Sequence, residues 1–119
     1  MFDEHQENEI NRQALFSDET QDYRYPEEPD AGETVTLWFR TAKNDVDRVF
    51  YIEEDKNIQA EMRKVSSDSL FDYYEYRMKA DSQPQRYYIQ VVKGSAVCYF
   101  NRLGATMDIQ SCYAFRITP

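Results

Sequence analysis

Histidine and glycine are almost missing from this sequence, and each shortage removes a kind of chemistry. The single histidine, His5, sits in an acidic, polar opening stretch, from which a Ser-His-Asp or Cys-His catalytic group would have to recruit it. The three glycines, Gly32, Gly94 and Gly104, lie far apart, so no glycine-rich loop is available to cradle a phosphate. Long apolar runs are missing too: the longest, Ala96 to Phe100, is far short of a membrane span. The stretch from Met1 to Glu9 lacks the apolar segment of a signal peptide, so the expected location is cytoplasmic, or extracellular if a leader preceded it. Cations are outnumbered, 14 Lys and Arg against 22 Asp and Glu, for a net charge of −8. Nucleic acid and anionic membrane surfaces both call for clustered Lys and Arg, so neither is an expected partner and an uncharged one is. The two cysteines, Cys98 and Cys112, read either as buried free thiols of a cytoplasmic protein or as a disulfide closing the last loop.

What the sequence does hold is aromatic: ten Tyr, seven Phe and Trp38, a composition that favours pleated, half-buried surfaces and hence β structure. Phenol and indole rings, with an apolar face and a polar tip, also suit contact with sugars. A chain of 119 residues holds one domain and can bury a core without metals or disulfides. Residues 1–9 read as a flexible acidic arm and residues 10–119 as a single folded domain.

Strand signals follow one another along that domain. Ile10 to Phe16 is a first strand or an extended lead-in, and Tyr25 to Gly32 is a loop punctuated by Pro26 and Pro29. From Thr34 to Thr41, Val35, Leu37 and Phe39 alternate with Thr36, Trp38 and Arg40, a period of two. Ala42 to Asp45 is a turn in which Asn44 takes the left-handed conformation, and Val46 to Ile52 is the return strand. Ile58 to Val65 is read as one strand, Ser66 to Ser69 as a loop and Phe71 to Met78 as a tyrosine-rich strand ended by Gln83-Pro84. Arg86 to Val92 alternates again, Lys93-Gly94-Ser95 turns into Ala96 to Asn101, and Cys112 to Ile117 closes the domain. Short strands with turns between them, and no βαβ alternation, predict an all-β antiparallel sandwich. Leu37, Phe39, Val49, Tyr51, Ile89 and Val91 are the expected core, with Tyr74 packed among them.

Acids are too plentiful to single out a glycosidase pair. Asp45-Val46-Asp47 opens like a calcium loop, but Phe50 stands where that loop needs glycine. No metal and no cofactor are expected.

Two segments carry a resemblance. Met62-Arg63-Lys64-Val65-Ser66-Ser67-Asp68-Ser69-Leu70-Phe71-Asp72-Tyr73-Tyr74 resembles the N-terminal domain of neopullulanases, cyclomaltodextrinases and maltogenic amylases, with its Ser-Asp-x-x-Phe-Asp-Tyr-aromatic element. The run Val35 to Val49, with Leu37, Arg40, Thr41, Asp45 and Val46, is similar to that family's strand-turn-strand. Leu15-Phe16-Ser17-Asp18, Tyr25-Pro26, Tyr87-Tyr88 through Gly94, and Tyr99-Phe100-Asn101 match its opening and closing parts. The resemblance implies an immunoglobulin-like β-sandwich, a family-34 carbohydrate-binding module that precedes a (β/α)₈ catalytic barrel in bacterial glycoside hydrolases. It implies a non-catalytic module that binds α-glucan such as starch, pullulan or cyclodextrin. The alternative it allows is an interaction domain that docks on its own barrel or pairs two subunits as a homodimer. Two departures stand out. Relatives that stack tyrosines on a neighbour's substrate place them after the return strand, where this chain has Glu53-Glu54-Asp55-Lys56-Asn57. Relatives that hold calcium use the N-terminal arm, the position of Asp45 and an Asp before the late glycine, where this chain has Lys93.

The candidate carbohydrate-binding residues are Trp38, Phe50 and Tyr88. If Val35, Leu37 and Phe39 face the core, Trp38 faces away. Treating the two strands as a hairpin with Val49 and Tyr51 inward pairs Phe39 with Val49 and Leu37 with Tyr51, and sets Trp38 beside Phe50. Tyr88 points outward by the same alternation.

Overall fold

A computed structural model describes residues 9–107 and 114–118. The arm from Met1 to Asn8, His5 included, and Cys112 lie outside the described residues. Among the described residues, ten strands run in chain order: β1 (Arg24–Tyr25), β2 (Thr34–Ala42), β3 (Arg48–Glu53), β4 (Ile58–Glu61), β5 (Arg63–Ser67), β6 (Phe71–Lys79), β7 (Gln85–Lys93), β8 (Ala96–Asn101), β9 (Gly104–Thr106) and β10 (Phe115–Ile117). They form two antiparallel sheets. One is ordered β1-β2-β6-β5; the other is ordered β4-β3-β7-β8-β9, with β10 also paired to β7. The all-β immunoglobulin-like sandwich expected from the sequence is what the chain adopts.

The inward faces are those that the alternation gives. Val35, Leu37 and Phe39 of β2, Val49 and Tyr51 of β3, Tyr74 of β6, and Ile89 and Val91 of β7 are all buried in one core. Aromatic rings run through it without a break. Phe39 meets Phe100 edge-on at 5.4 Å, Phe100 stacks on Phe115 at 6.2 Å, and Phe115 stacks on Tyr87 at 5.2 Å. Tyr87 lies 5.4 Å from Tyr51, which stacks on Tyr76 at 4.7 Å. The phenols find polar partners, as buried tyrosines must. Tyr51 donates to Glu53 Oε1 at 2.8 Å, and Tyr87 accepts from the buried Arg24 at 3.3 Å.

Strand pairing differs from the hairpin expected between β2 and β3. Those strands belong to different sheets: β2 pairs with β6 (Trp38 opposite Glu75) and β3 with β7 (Phe50 opposite Gln90). The change of sheet occurs within a few residues. Lys43 N–H still bonds Leu70 C=O at 2.9 Å beside the first sheet, whereas Asp47 N–H bonds Val92 C=O at 2.8 Å in the second. Asn44 makes the corner at φ 54°, the left-handed conformation expected of it. Ile58 to Val65 is not one strand but two, and it changes sheets at the buried Met62. Ile10 to Phe16 is no strand: Arg12–Ala14 forms a 3-10 turn, after which Phe16 bridges Arg40. Gly94, at φ 58°, closes the β7–β8 hairpin as expected. Cys98 is a free, buried thiol whose pKa burial pushes up to about 11.

The Ser-Asp-x-x-Phe-Asp-Tyr element secures this corner. Asp72, 1% exposed, accepts the Asn44 N–H at 2.9 Å and the Ser67 hydroxyl at 2.8 Å, with the Lys64 ammonium 3.2 Å away. Asp68 accepts the N–H groups of Leu70 and Phe71 at 2.9 and 2.8 Å and the Tyr73 hydroxyl at 2.9 Å. Burial acts to raise the Asp72 pKa, but the bonds from Asn44, Ser67 and Lys64 outweigh it and hold the carboxyl below its ordinary value.

Two outcomes follow for stability. Leu37→Ala or Ile89→Ala should lose about 2–5 kcal/mol in urea denaturation, and a variant as stable as the parent would show that the inward face is misassigned. Asp72→Asn should lose about 1–3 kcal/mol at neutral pH by leaving corner donors poorly matched. Because the Asp72 pKa is lower in the folded chain, its contribution is complete above the unfolded value of about 3.9 and fades as pH falls through the folded one. The deficit of Asp72→Asn, measured by denaturation from pH 7 downward, should therefore shrink with acidity. A deficit constant with pH would contradict this role.

Candidate functional site

Crossing between sheets separates the expected site residues. Trp38 lies on the outer face of the four-stranded sheet, whereas Phe50 lies on the outer face of the six-stranded one, so the platform expected from their pairing does not form. Phe50 sits beneath Arg48, whose guanidinium carbon is 4.9 Å from the ring centroid and whose nitrogen bonds Glu61 at 2.8 Å. Tyr88 is on the same face as Phe50 but only 9% exposed, with the edge of Tyr99 at 5.8 Å. Outward alternation was a sound inference for Tyr88, but alternation alone says nothing about what covers an outward residue.

Trp38 instead meets two tyrosines that the sequence reading did not select. A groove of about 610 Å³ is lined by Trp38, Tyr23, Tyr73, Val65, Ser66 and Asp22, with Gln21 at its rim. Its parts come from β2, β5, β6 and the segment before β1. Trp38 is fixed through its backbone, which accepts from Ser17 Oγ at 2.7 Å and donates to Tyr23 C=O at 2.9 Å. Between those contacts the chain bulges outward from the edge of β2 to form one wall, held by Thr20, whose C=O accepts the N–H groups of Tyr23 and Arg24. Tyr73 stands opposite Arg40 on β6, and Val65 and Ser66 reach the groove through an irregularity in the β5–β6 pairing.

The groove walls are braced from behind. Arg40 lies between two rings, its guanidinium carbon 4.2 Å from the Phe71 centroid and 5.5 Å from that of Phe16. Phe16 in turn meets Tyr23 edge-on at 5.0 Å. Burial raises the Tyr23 pKa, and the bond to Asp68 followed by burial raises that of Tyr73, so both phenols are neutral at physiological pH. Glu75, next to Trp38 across the strands, lies 3.7 Å from Arg63 and 3.6 Å from Arg77. The result is a ring-lined depression whose lining mixes aromatic faces with the polar groups of Gln21, Asp22 and Ser66. A second hollow, of about 460 Å³ beside Ile10, Ala96, Cys98 and Met107, has no ring among the described residues of its lining.

Residues 6–117 match the family described as alpha amylase, N-terminal ig-like domain. The chain belongs to that family. Among solved structures it is similar to one titled cyclomaltodextrinase, at 21% identity and a TM-score of 0.75, covering 89% of this chain and 19% of that one. It is also similar to the type III pullulan hydrolase from Thermococcus kodakarensis, at 14% identity and a TM-score of 0.58, covering 87% of this chain and 16% of that one. At these identities the likeness concerns the fold, and the chain spans less than a fifth of either neighbour. No curated protein matches the sequence. The family thus supplies an amylase-type N-terminal domain, a non-catalytic part of such enzymes.

At the positions named above for calcium-holding relatives, Lys93 itself supplies the cation. Lys93 Nζ donates to Asp45 Oδ1 at 2.7 Å and to Glu9 C=O at 3.0 Å, while Asp45 Oδ2 accepts the Asn11 N–H at 2.8 Å. An ammonium fills the space where those oxygens converge, and among the described residues no cluster of His, Cys, Asp or Glu is arranged to hold a metal ion. Replacing the ammonium should therefore loosen the Glu9–Asn11 segment rather than vacate a metal site. Lys93→Met is expected to cost about 1.5–3 kcal/mol and to speed hydrogen exchange at the Asn11 amide. Unchanged exchange there would contradict the tether.

Proposed function

We propose that this domain binds α-glucan chains through the Trp38 groove, as a non-catalytic module of a glycoside hydrolase whose catalytic barrel follows it. The observation that carries the reading is the convergence of Trp38, Tyr23 and Tyr73 around one depression in an otherwise strongly acidic protein. A pyranose ring offers C–H faces that lie against such rings and hydroxyls that reach Asp22, Gln21 and Ser66, the mixture that small-ligand grooves provide. The two structural neighbours are named for cyclomaltodextrin and pullulan, both α-glucans. Cleavage is not part of the proposal. Glycosidic hydrolysis takes two carboxylates flanking the bond, and the lining of the groove has one, Asp22. The nearby acids are committed elsewhere, Asp68 to Leu70, Phe71 and Tyr73, and Glu75 to its two arginines.

One observation favours a different occupant. Arg63, Arg77 and Lys79 stand on or beside this face with Glu75 as the acid among them, an arrangement that an acidic protein surface, on the parent's barrel or a second subunit, would match. Salt separates the two, since an uncharged sugar binds almost independently of ionic strength and a charged partner does not.

Affinity electrophoresis in pullulan or amylopectin gels tests the proposal. The parent should be retarded equally at low and high salt, Trp38→Ala should lose about tenfold or more in affinity, and Phe50→Ala should run as the parent does. Retardation that survives Trp38→Ala would remove the groove from sugar binding.

A further inference from the structure

The register of the four-stranded sheet places a third exposed ring in line with this groove. Tyr25 of β1 stands opposite Thr36 of β2, and Tyr73 of β6 stands opposite Arg40 of β2, with Trp38 midway between Thr36 and Arg40. Thr36, Trp38 and Arg40 all face outward, because Val35, Leu37 and Phe39 are buried, and cross-strand partners share a face. Tyr25, Trp38 and Tyr73 therefore lie on one diagonal of the sheet. Each step crosses one strand, about 4.8 Å, and advances two residues, about 6.6 Å, so successive rings are about 8 Å apart and the outer two about 16 Å. That span exceeds a single sugar ring several times over. Tyr25 is 61% exposed and outside the lining of the groove, which ends at Tyr23 and Trp38. Between Tyr25 and Arg77 the residue on β2 is Thr36, whose side chain is short.

Resting on the reading of this face as a glucan site, we infer that the site selects for chain length. It takes an extended run of a linear glucan, with Trp38 and Tyr73 holding one part and Tyr25 serving as a distal platform for the units beyond. A short oligosaccharide occupies the Trp38 end alone. Tyr25 is then a specificity residue: it adds affinity only for a ligand long enough to reach it. The ring face, not the hydroxyl, is what it contributes, so phenylalanine in its place does the same.

Titration of linear malto-oligosaccharides from maltose to maltoheptaose, followed calorimetrically and by the fluorescence of Trp38, tests this. Affinity should rise with length and then level off once the strip is filled. Tyr25→Ala should lose about tenfold for maltoheptaose and leave maltotriose unchanged, while Tyr25→Phe keeps the parent's values at both lengths. Tyr25 is exposed and is not part of the buried core, and unchanged maltotriose binding by the same variant shows an intact groove. Affinity independent of length, or a Tyr25→Ala loss equal at all lengths, would overturn the inference while leaving the glucan reading in place. No binding of any linear glucan by the parent would overturn both.

Discussion

A buried carboxylate governs the corner on which this architecture turns. Asp72 draws in the Asn44 amide, the Ser67 hydroxyl and the Lys64 ammonium, and so joins the turn after β2 to the β5–β6 connection. An acid taken out of water needs such partners to remain charged. Satisfying it ties down the end of the sandwich where the chain leaves one sheet and enters the other. With β2 and β3 assigned to opposite sheets, their outward residues come to opposite sides of the molecule. The two outer faces are therefore free to differ.

They do differ in kind. On the six-stranded side, Phe50 is covered by an arginine that is itself bonded to Glu61, and Tyr88 is nearly enclosed. On the four-stranded side, Trp38, Tyr23 and Tyr73 border open space, and the ring–guanidinium–ring sequence of Phe16, Arg40 and Phe71 holds the walls in place. A rigid wall suits recognition because little side-chain freedom remains to be lost on binding. The same Ser-Asp-x-x-Phe-Asp-Tyr element places Phe71 and Tyr73 at this face and Asp72 at the corner. One short stretch thus serves both packing and surface.

Much of the fold was legible because side-chain alternation is local. Val35, Leu37 and Phe39, or Ile89 and Val91, announce their buried face without reference to any partner strand. Pairing is not local. The residues from Ala42 to Asp47 carry ordinary turn signals, and a left-handed asparagine serves a corner between sheets as well as a hairpin. Alternation and turn signals together therefore supported a hairpin, and with it a Trp38–Phe50 pair, that the sheets do not make. Ile58 to Val65 failed for a similar reason, since a strand changing sheets at Met62 keeps its apolar alternation. Tyr73 was within reach: an inward Tyr74 makes Tyr73 outward, and only the β2–β6 pairing was needed to bring it near Trp38. Tyr23 was not, because it reaches the groove from an irregular bulge whose course depends on Ser17, Thr20 and the edge of β2.

The central claim is that the four-stranded sheet's outer face, and not the other, meets α-glucan. Amide chemical-shift mapping of the isotope-labelled domain during titration with maltoheptaose tests it most directly, since every strand reports at once. The account predicts shifts gathered at residues 21–25, 36–40, 64–66 and 73–77, with the Trp38 indole among the largest. Shifts centred on Phe50, Tyr88 and Tyr99, or none at saturating sugar, would contradict it.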